Sequence, residues 1–428
     1  MSKINLIIQK KQFGKTLTSR EIEYVVNQYT SGKISDDIMT NWLKAIYDEG
    51  MNNEETLSYT QCMLNSGITL DFSYLNAHIV DKHSTGGIGD KVSFILGPIL
   101  AVCGFYVPML AGRGLEHTGG TIDKLESIPG YDVSLKIKDF KSNVEKNGIS
   151  IMSQTDEICP ADKKIYALRD MTKTVSSFPL ICGSIMSKKI AEGIQGLLLD
   201  VKIGNGAFMK TLSDGKKLGG LLTRVGELYG IKVIPCYTNM DQPLGDYAGL
   251  WCEIMESIEC LKGNGPDDLM ELVYYLTEQA FNLSGVDFDL DRIKYIINEG
   301  LALDKFYDMV LAHGGSIESF ENEKLNLPKF RGEIHSMETG YISFMDTRKI
   351  GMALTNLCNG NDKGKINGLD FSAGIKFHKK IGNYIEKNEI VMEYFCSNKA
   401  NFEKCKLELD KTFNVQIEKQ SLMKLIYK

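Results

Sequence analysis

From residue 78 onward, short β-prone runs alternate with glycine-rich turns and helix-prone stretches. HIVDKH opens the series, and GFYVPMLA (104–111), LLLDVKIG (197–204) and IKVIPCY (231–237) continue it. Strands separated by helical crossovers build a mostly parallel sheet with helices on its faces. The expected fold class is therefore α/β.

Residues 1–68 have a different texture and predict three helices. Thr18 and Glu21 form a candidate capping box ahead of Ile22, Val25, Val26 and Tyr29. A second helix spans Ser35 to about Asp48, with Ile38, Trp42 and Ile46 on one face. A third begins at Asn52, with Glu55 three residues on, and stops near Gly67. A polar, helix-prone stretch at 158–193 (CPADKKIYALRDMTKTV, then GSIMSKKIAEG) interrupts the α/β pattern and is expected to rejoin this unit. The partition is a small discontinuous helical domain (1–68 plus 158–193), a larger α/β domain with a mixed, mostly parallel sheet (69–157 plus 194–330), and a C-terminal α+β lobe (331–428).

Composition narrows the function classes. A formal net charge of -6 argues against a general nucleic-acid binder. No run of apolar residues is long enough for a membrane-spanning helix, and MSKINLIIQKKQFGK lacks the apolar core of a secretion signal. A cytoplasmic protein with no membrane partner is expected. The ten cysteines lie singly with no metal-ligand spacing, so no metal site is predicted.

Two glycine-rich loops carry the chemistry. DKHSTGGIGD (81–90) follows a β-prone run and precedes an apolar helix starting at Val92. Such a loop can aim backbone N–H groups and a helix N-terminus at an anion, with Lys82, Ser84 and Ser93 as further donors. GRGLEHTGGT (112–121) also leaves a β-prone run and leads into a helix. Loops of this kind after two parallel strands share one edge of the sheet, where open α/β folds bind ligands. Arg113 could instead pair with Asp123 or Glu126, and His117 reads as a packed, hydrogen-bonding histidine. In the helical stretch, Ser184 and Lys188 stand four apart and share one helix face.

These segments (DKHSTGGIGD, AGRGLEHTGGTIDKLESIPGY, YALRD, SIMSKKIAEG, NMDQPLG at 239–245 and HKKIGNYIEKNE at 378–389) resemble, in order and approximate spacing, the motifs of the thymidine and pyrimidine-nucleoside phosphorylases. The resemblance implies phosphorolysis of a pyrimidine nucleoside such as thymidine or uridine, to free base and the α-pentose 1-phosphate. It implies a homodimer formed through the helical domain and a cleft that closes. Phosphate would bind Lys82, Ser84, Ser93 and Thr121, and the base Arg169, Ser184 and Lys188. His83, between the two, would give the base a proton, for which its ordinary pKa of about 6.5 is suited. The catalytic set is thus His83, Arg169 and Lys188, with inorganic phosphate as co-substrate and no cofactor.

Two positions depart from the family pattern: Ala111 stands where serine is usual, and Glu116 where glycine is common. Some bacterial members hold a potassium ion through carbonyls and a glutamate, at positions matching Gly89, Lys91, Leu244, Tyr247 and Glu256; a lysine side chain at 91 does not forbid a carbonyl contact but places a cation nearby, which leaves potassium open. An anthranilate-type phosphoribosyltransferase is one alternative, with Asp267-Asp268 as its acidic pair. A non-catalytic nucleoside-binding protein is another.

Overall fold

The computed structural model describes residues 2–360, 368–420 and 424–427. The three helices expected in residues 1–68 are four: α1 (Lys3–Gln12), α2 (Ser19–Thr30), α3 (Asp36–Glu49) and α4 (Asn53–Leu64). The extra helix α1 carries Ile4, Ile7, Ile8 and Lys11 on its buried face, at helical spacing, and Ser2 caps it. Both capping boxes form, Thr18 with Glu21 and Asn52 with Glu55. Trp42, Tyr29, Val25 and Tyr59 fill the core between these helices.

The middle of the chain runs β1 (Val80–Ser84), α5 (Val92–Val102), β2 (Val107–Ala111), α6 (Thr121–Leu125), α7 (Ile137–Asn147), β3 (Ile149–Ser153), α8 (Pro160–Thr172), α9 (Phe178–Ala191), β4 (Gly196–Ile203), α10 (Leu212–Leu228) and β5 (Lys232–Asn239). Strands β1, β4 and β5 pair in parallel. β2 and β3 form a second parallel pair, joined to β1 by a bridge between Ile79 and Tyr106. β4 is buried over its whole length, which explains its unbroken apolar run. α5 is buried on every side except its end and so shows no polar face.

Helix α8 packs on α2, α3 and α4, while α9 lies between α4 and α10. Ala161, Ile165, Leu168 and Leu180 belong to the core of the N-terminal helices. Ile185, Met186 and Ile190, further along α9, pack into the core beneath the sheet instead. One helix therefore joins both bodies.

The remainder comprises β6 (Tyr247–Gly249), α11 (Trp251–Leu261), α12 (Asp267–Ser284), α13 (Leu290–Asn298), α14 (Leu301–Ala312), β7 (Phe330–His335), β8 (Gly340–Met345), α15 (Thr347–Cys358), β9 (Gly374–Phe377), β10 (Tyr384–Ile385), β11 (Ile390–Cys396), α16 (Lys399–Leu409), β12 (Phe413–Gln416) and β13 (Ile426–Tyr427). Antiparallel sheets β6-β9-β11-β7 and β10-β8-β12 make the C-terminal lobe. Two strands cross the expected boundary: β6 pairs within this lobe, and β13 returns to pair antiparallel with β5. No helix among the described residues is long and apolar enough to cross a membrane.

Candidate active site

The carboxyl ends of β1, β2 and β3 face α8 and α9 across a cleft of about 650 Å³. Periodicity explains each contribution. On α8, Asp162, Tyr166 and Arg169 recur at helical spacing and line the cleft; on α9, Ile181, Ser184, Ile185 and Lys188 do the same. Opposite them lie Lys82, His83 and Ser84 at the end of β1, Ser93 in the first turn of α5, and Thr121 at the start of α6. The cleft thus gathers all eight site residues named from the sequence: Lys82, His83, Ser84, Ser93, Thr121, Arg169, Ser184 and Lys188.

The two walls treat charge differently. On the sheet side, the Lys82 ammonium lies 3.3 Å from Asp90 and 3.5 Å from Asp200, and Lys202 is 2.7 Å from Asp200. Lys82, Asp200 and Lys202 are buried, and Asp90 is partly so. Burial raises the Asp90 pKa, but Lys82 and Lys202 outweigh it and hold the carboxylate far below its usual range. Two ammonium groups are thus balanced by two carboxylates, and Lys82 brings no uncompensated charge to this wall. Donors remain in the Ser84, Ser93 and Thr121 hydroxyls, whereas at the start of α6 the Ile122 N–H already donates to the Gly112 carbonyl (3.2 Å).

On the helical side, the Lys188 ammonium lies 2.5 Å from Asp162 and 2.9 Å from the Ser184 hydroxyl. Arg169 is buried and donates through Nη1 to the Leu180 carbonyl (2.9 Å) and through Nη2 to the Val175 carbonyl (2.8 Å). Its Nε has no hydrogen-bond partner among the described residues. Carbonyls orient a guanidinium without neutralising it, so this wall keeps one net positive charge.

His83 lies under the field of both walls. Burial first, then the ammonium groups of Lys189, Lys188 and Lys82, push its pKa well below 6.5. The expectation of an ordinary histidine pKa is therefore corrected: with a cation on each side, the imidazole stays neutral at physiological pH. Behind it, Lys189 pairs with both Asp81 and Glu192. Burial and the charge on Asp81 push the Glu192 carboxyl well above its usual range, against the pull of Lys189.

The second loop divides its side chains between structure and cleft. Arg113 lines the cleft but pairs with Asp123 (2.8 Å) and Glu126 (2.7 Å). His117 is buried, and its Nε2 lies 3.0 Å from the Gly206 carbonyl; burial lowers its pKa to about 4. Glu116 faces away from the cleft, 3.0 Å from Arg348 on α15. Its φ of 51° is left-handed, a conformation that favours glycine and strains other residues. Ala111, at the end of β2, does line the cleft.

Asp268, half of the acidic pair named for the rival transferase, is bound to Lys380 at 2.6 Å and sits in the first turn of α12. It does not line the cleft. The positions implied for potassium hold a cation of the chain itself: Lys91 Nζ lies 2.8 Å from the Tyr247 carbonyl, 3.1 Å from that of Leu244 and 2.5 Å from Glu256. Those oxygens do not fit a separate metal ion while the ammonium stands among them.

Sequence reasoning missed Asp162, Asp90, Asp200 and Lys202. Asp162 stands in the first turn of α8, where an acid suits the helix dipole, so its position carries no separate signal. Asp200 and Lys202 carried a signal: two opposite charges, two residues apart, inside an otherwise apolar strand.

Comparison with known proteins bears on the family and the fold. Residues 5–67 match the glycosyl transferase family helical bundle domain, 76–303 the a/b domain of the same family, and 341–416 the pyrimidine nucleoside phosphorylase C-terminal domain. A pyrimidine-nucleoside phosphorylase of Staphylococcus epidermidis is 42% identical over 92% of both chains. One from Geobacillus stearothermophilus is 39% identical over 98% of both. Anthranilate phosphoribosyltransferase from Thermus thermophilus shares the fold over 72% of this chain and 99% of its own, with a TM-score of 0.56 and 15% identity.

Proposed function

This chain belongs to the pyrimidine-nucleoside phosphorylase family, and on that premise we propose that it cleaves the glycosidic bond of a pyrimidine nucleoside with inorganic phosphate. One observation carries the reading: donors suited to an oxyanion and cations suited to a nucleobase line opposite walls of the same cleft.

A phosphate oxygen attacks C1′ of the pentose, the bond from C1′ to the base nitrogen breaks, and the products are the base and the α-pentose 1-phosphate. Lys82, Ser84, Ser93 and Thr121 hold the phosphate in line, which lowers the entropic part of the barrier. The sugar passes through an oxocarbenium-like state that the bound anion stabilises. Negative charge develops on the departing pyrimidine, where the net positive charge of Arg169 and Lys188 is already in place. Ser184 fixes Lys188 and offers the base a hydroxyl.

His83 is neutral before substrate arrives, so it meets phosphate as a hydrogen-bonding group. A phosphate dianion beside Lys82 opposes the part of the lowering that comes from the ammonium groups, and a proton that His83 then takes from solvent can pass to the base. No redox cofactor is needed.

Release of base from thymidine, 2′-deoxyuridine and uridine, measured with and without phosphate, tests the reading. Phosphate-dependent release supports it. Release that requires magnesium and phosphoribosyl pyrophosphate, or nucleoside binding without release, would replace it. A homodimer through the N-terminal helices is part of the proposal; α1 and α3, with the turn after α1, leave Leu6, Phe13 and Tyr47 exposed there. Light scattering of Phe13→Asp against the native chain checks it.

A further inference from the structure

Three segments converge behind the first glycine-rich loop: the loop itself at Gly89 to Lys91, the turn from Leu244 to Tyr247, and α11 at Glu256. They approach too closely for ordinary side chains. A Cβ on Gly89 would lie 2.3 Å from the Leu244 carbonyl oxygen, and one on Gly245 would lie 2.9 Å from the Glu256 carboxylate. Glu256 also accepts from the Asp246 and Tyr247 N–H groups at 2.7 and 3.1 Å. The result is a buried pocket of oxygens, two carbonyls and one carboxylate, with a single negative charge. This is the donor set of a monovalent cation: all oxygen, weakly charged and dry.

Lys91 completes it from within the chain. Its side chain is fully buried, and its three ammonium hydrogens have three oxygen partners. The same residue precedes α5 and adjoins Asp90, the partner of Lys82. We propose that Lys91 is a tethered monovalent cation: its ammonium takes the place a free alkali-metal ion would take among these oxygens. The sheet-side loop is thereby held in its binding geometry whatever the potassium concentration. A free ion stabilises a folded protein in proportion to the logarithm of its concentration, whereas a tethered one cannot dissociate.

The test compares native protein and Lys91→Ser in potassium chloride and in choline chloride at equal ionic strength. Neither readout depends on which nucleoside is cleaved. The native Tm is expected to be the same in both salts. Lys91→Ser should lose about 4 °C or more in choline chloride and recover most of it in potassium chloride. Crystals soaked in a thallium(I) salt should show an anomalous peak among the Leu244, Tyr247 and Glu256 oxygens in the variant and none in the native protein. A native Tm that rises with potassium but not choline overturns the proposal, and that measurement stands even if the variant fails to fold. Equal Tm values for Lys91→Ser in the two salts, with no thallium peak, overturn it as well.

Discussion

The two walls of the cleft use lysine in opposite ways. On the sheet side, Lys82 is buried and its charge is matched within a cluster of two lysines and two aspartates. On the helical side, Lys188 keeps 14% of its side chain exposed and pairs with one aspartate, beside an arginine held only by neutral carbonyls. A nucleophilic phosphate needs to be aimed but must still react, so oriented donors in a balanced field suit it. A leaving base acquires its charge only as the bond breaks, so an uncompensated cation suits it. The same residue type is thus charge-balanced in one wall and sits beside an uncompensated arginine in the other.

The most severe way to break this contrast is to unbalance the sheet side. Lys82→Met leaves Asp90 and Asp200 buried with one cation between them, and should lower stability by about 3–5 kcal/mol. Adding Asp90→Asn restores the balance and should recover at least half. Urea unfolding of the single and double variants measures both; an unstable double variant would show that Lys82 acts by packing.

On the helical side the effect should appear in rate. Arg169→Ala and Lys188→Ala should each cut kcat/KM by roughly tenfold or more, about 1.4 kcal/mol of lost transition-state stabilisation. Saturating phosphate should not restore them, because the proposed phosphate contacts lie on the other wall. Near-normal activity in both variants would remove the proposed base contacts.

The histidine between the walls senses both. With its pKa well below 6.5, His83 should show no titration of its ring proton signals between pH 6 and 8 in the free protein. The shift is downward because burial and neighbouring cations oppose protonation, so removing a cation must raise it. Lys188→Ala should move the midpoint upward, and phosphate should do the same in the native chain. A native midpoint near 6.5 would contradict the field described here.

The smallest effect concerns Ala111. Ala111→Ser adds a hydroxyl at the cleft and should tighten phosphate by about 0.5–1.5 kcal/mol, read as a lower phosphate KM. An unchanged KM would mean that the existing donors already saturate the anion.

The sequence was strongest where one periodic pattern meets one environment. The buried face of α2, its capping box and the apolar run of β4 each follow from local chemistry. It faltered at α1, where Ile4, Ile7 and Ile8 form a clear helical face within a segment weighed only as a secretion signal. The residues that gather in the cleft were legible through motif resemblance. Their partners were not, because Asp162 meets Lys188 across a gap of 26 residues and Lys82 meets Asp200 only through strand pairing.

By itself, then, the sequence determined the alternation of strands and helices, the two glycine loops and the identity of the ionisable groups, all properties of near neighbours. Only the tertiary structure decided their charge state and direction. It balanced Lys82, left Arg169 uncompensated, turned Glu116 toward Arg348 and placed Lys91 among three oxygens. Electrostatic energy depends on distance and on exclusion of water, and both are set by segments far apart in the chain.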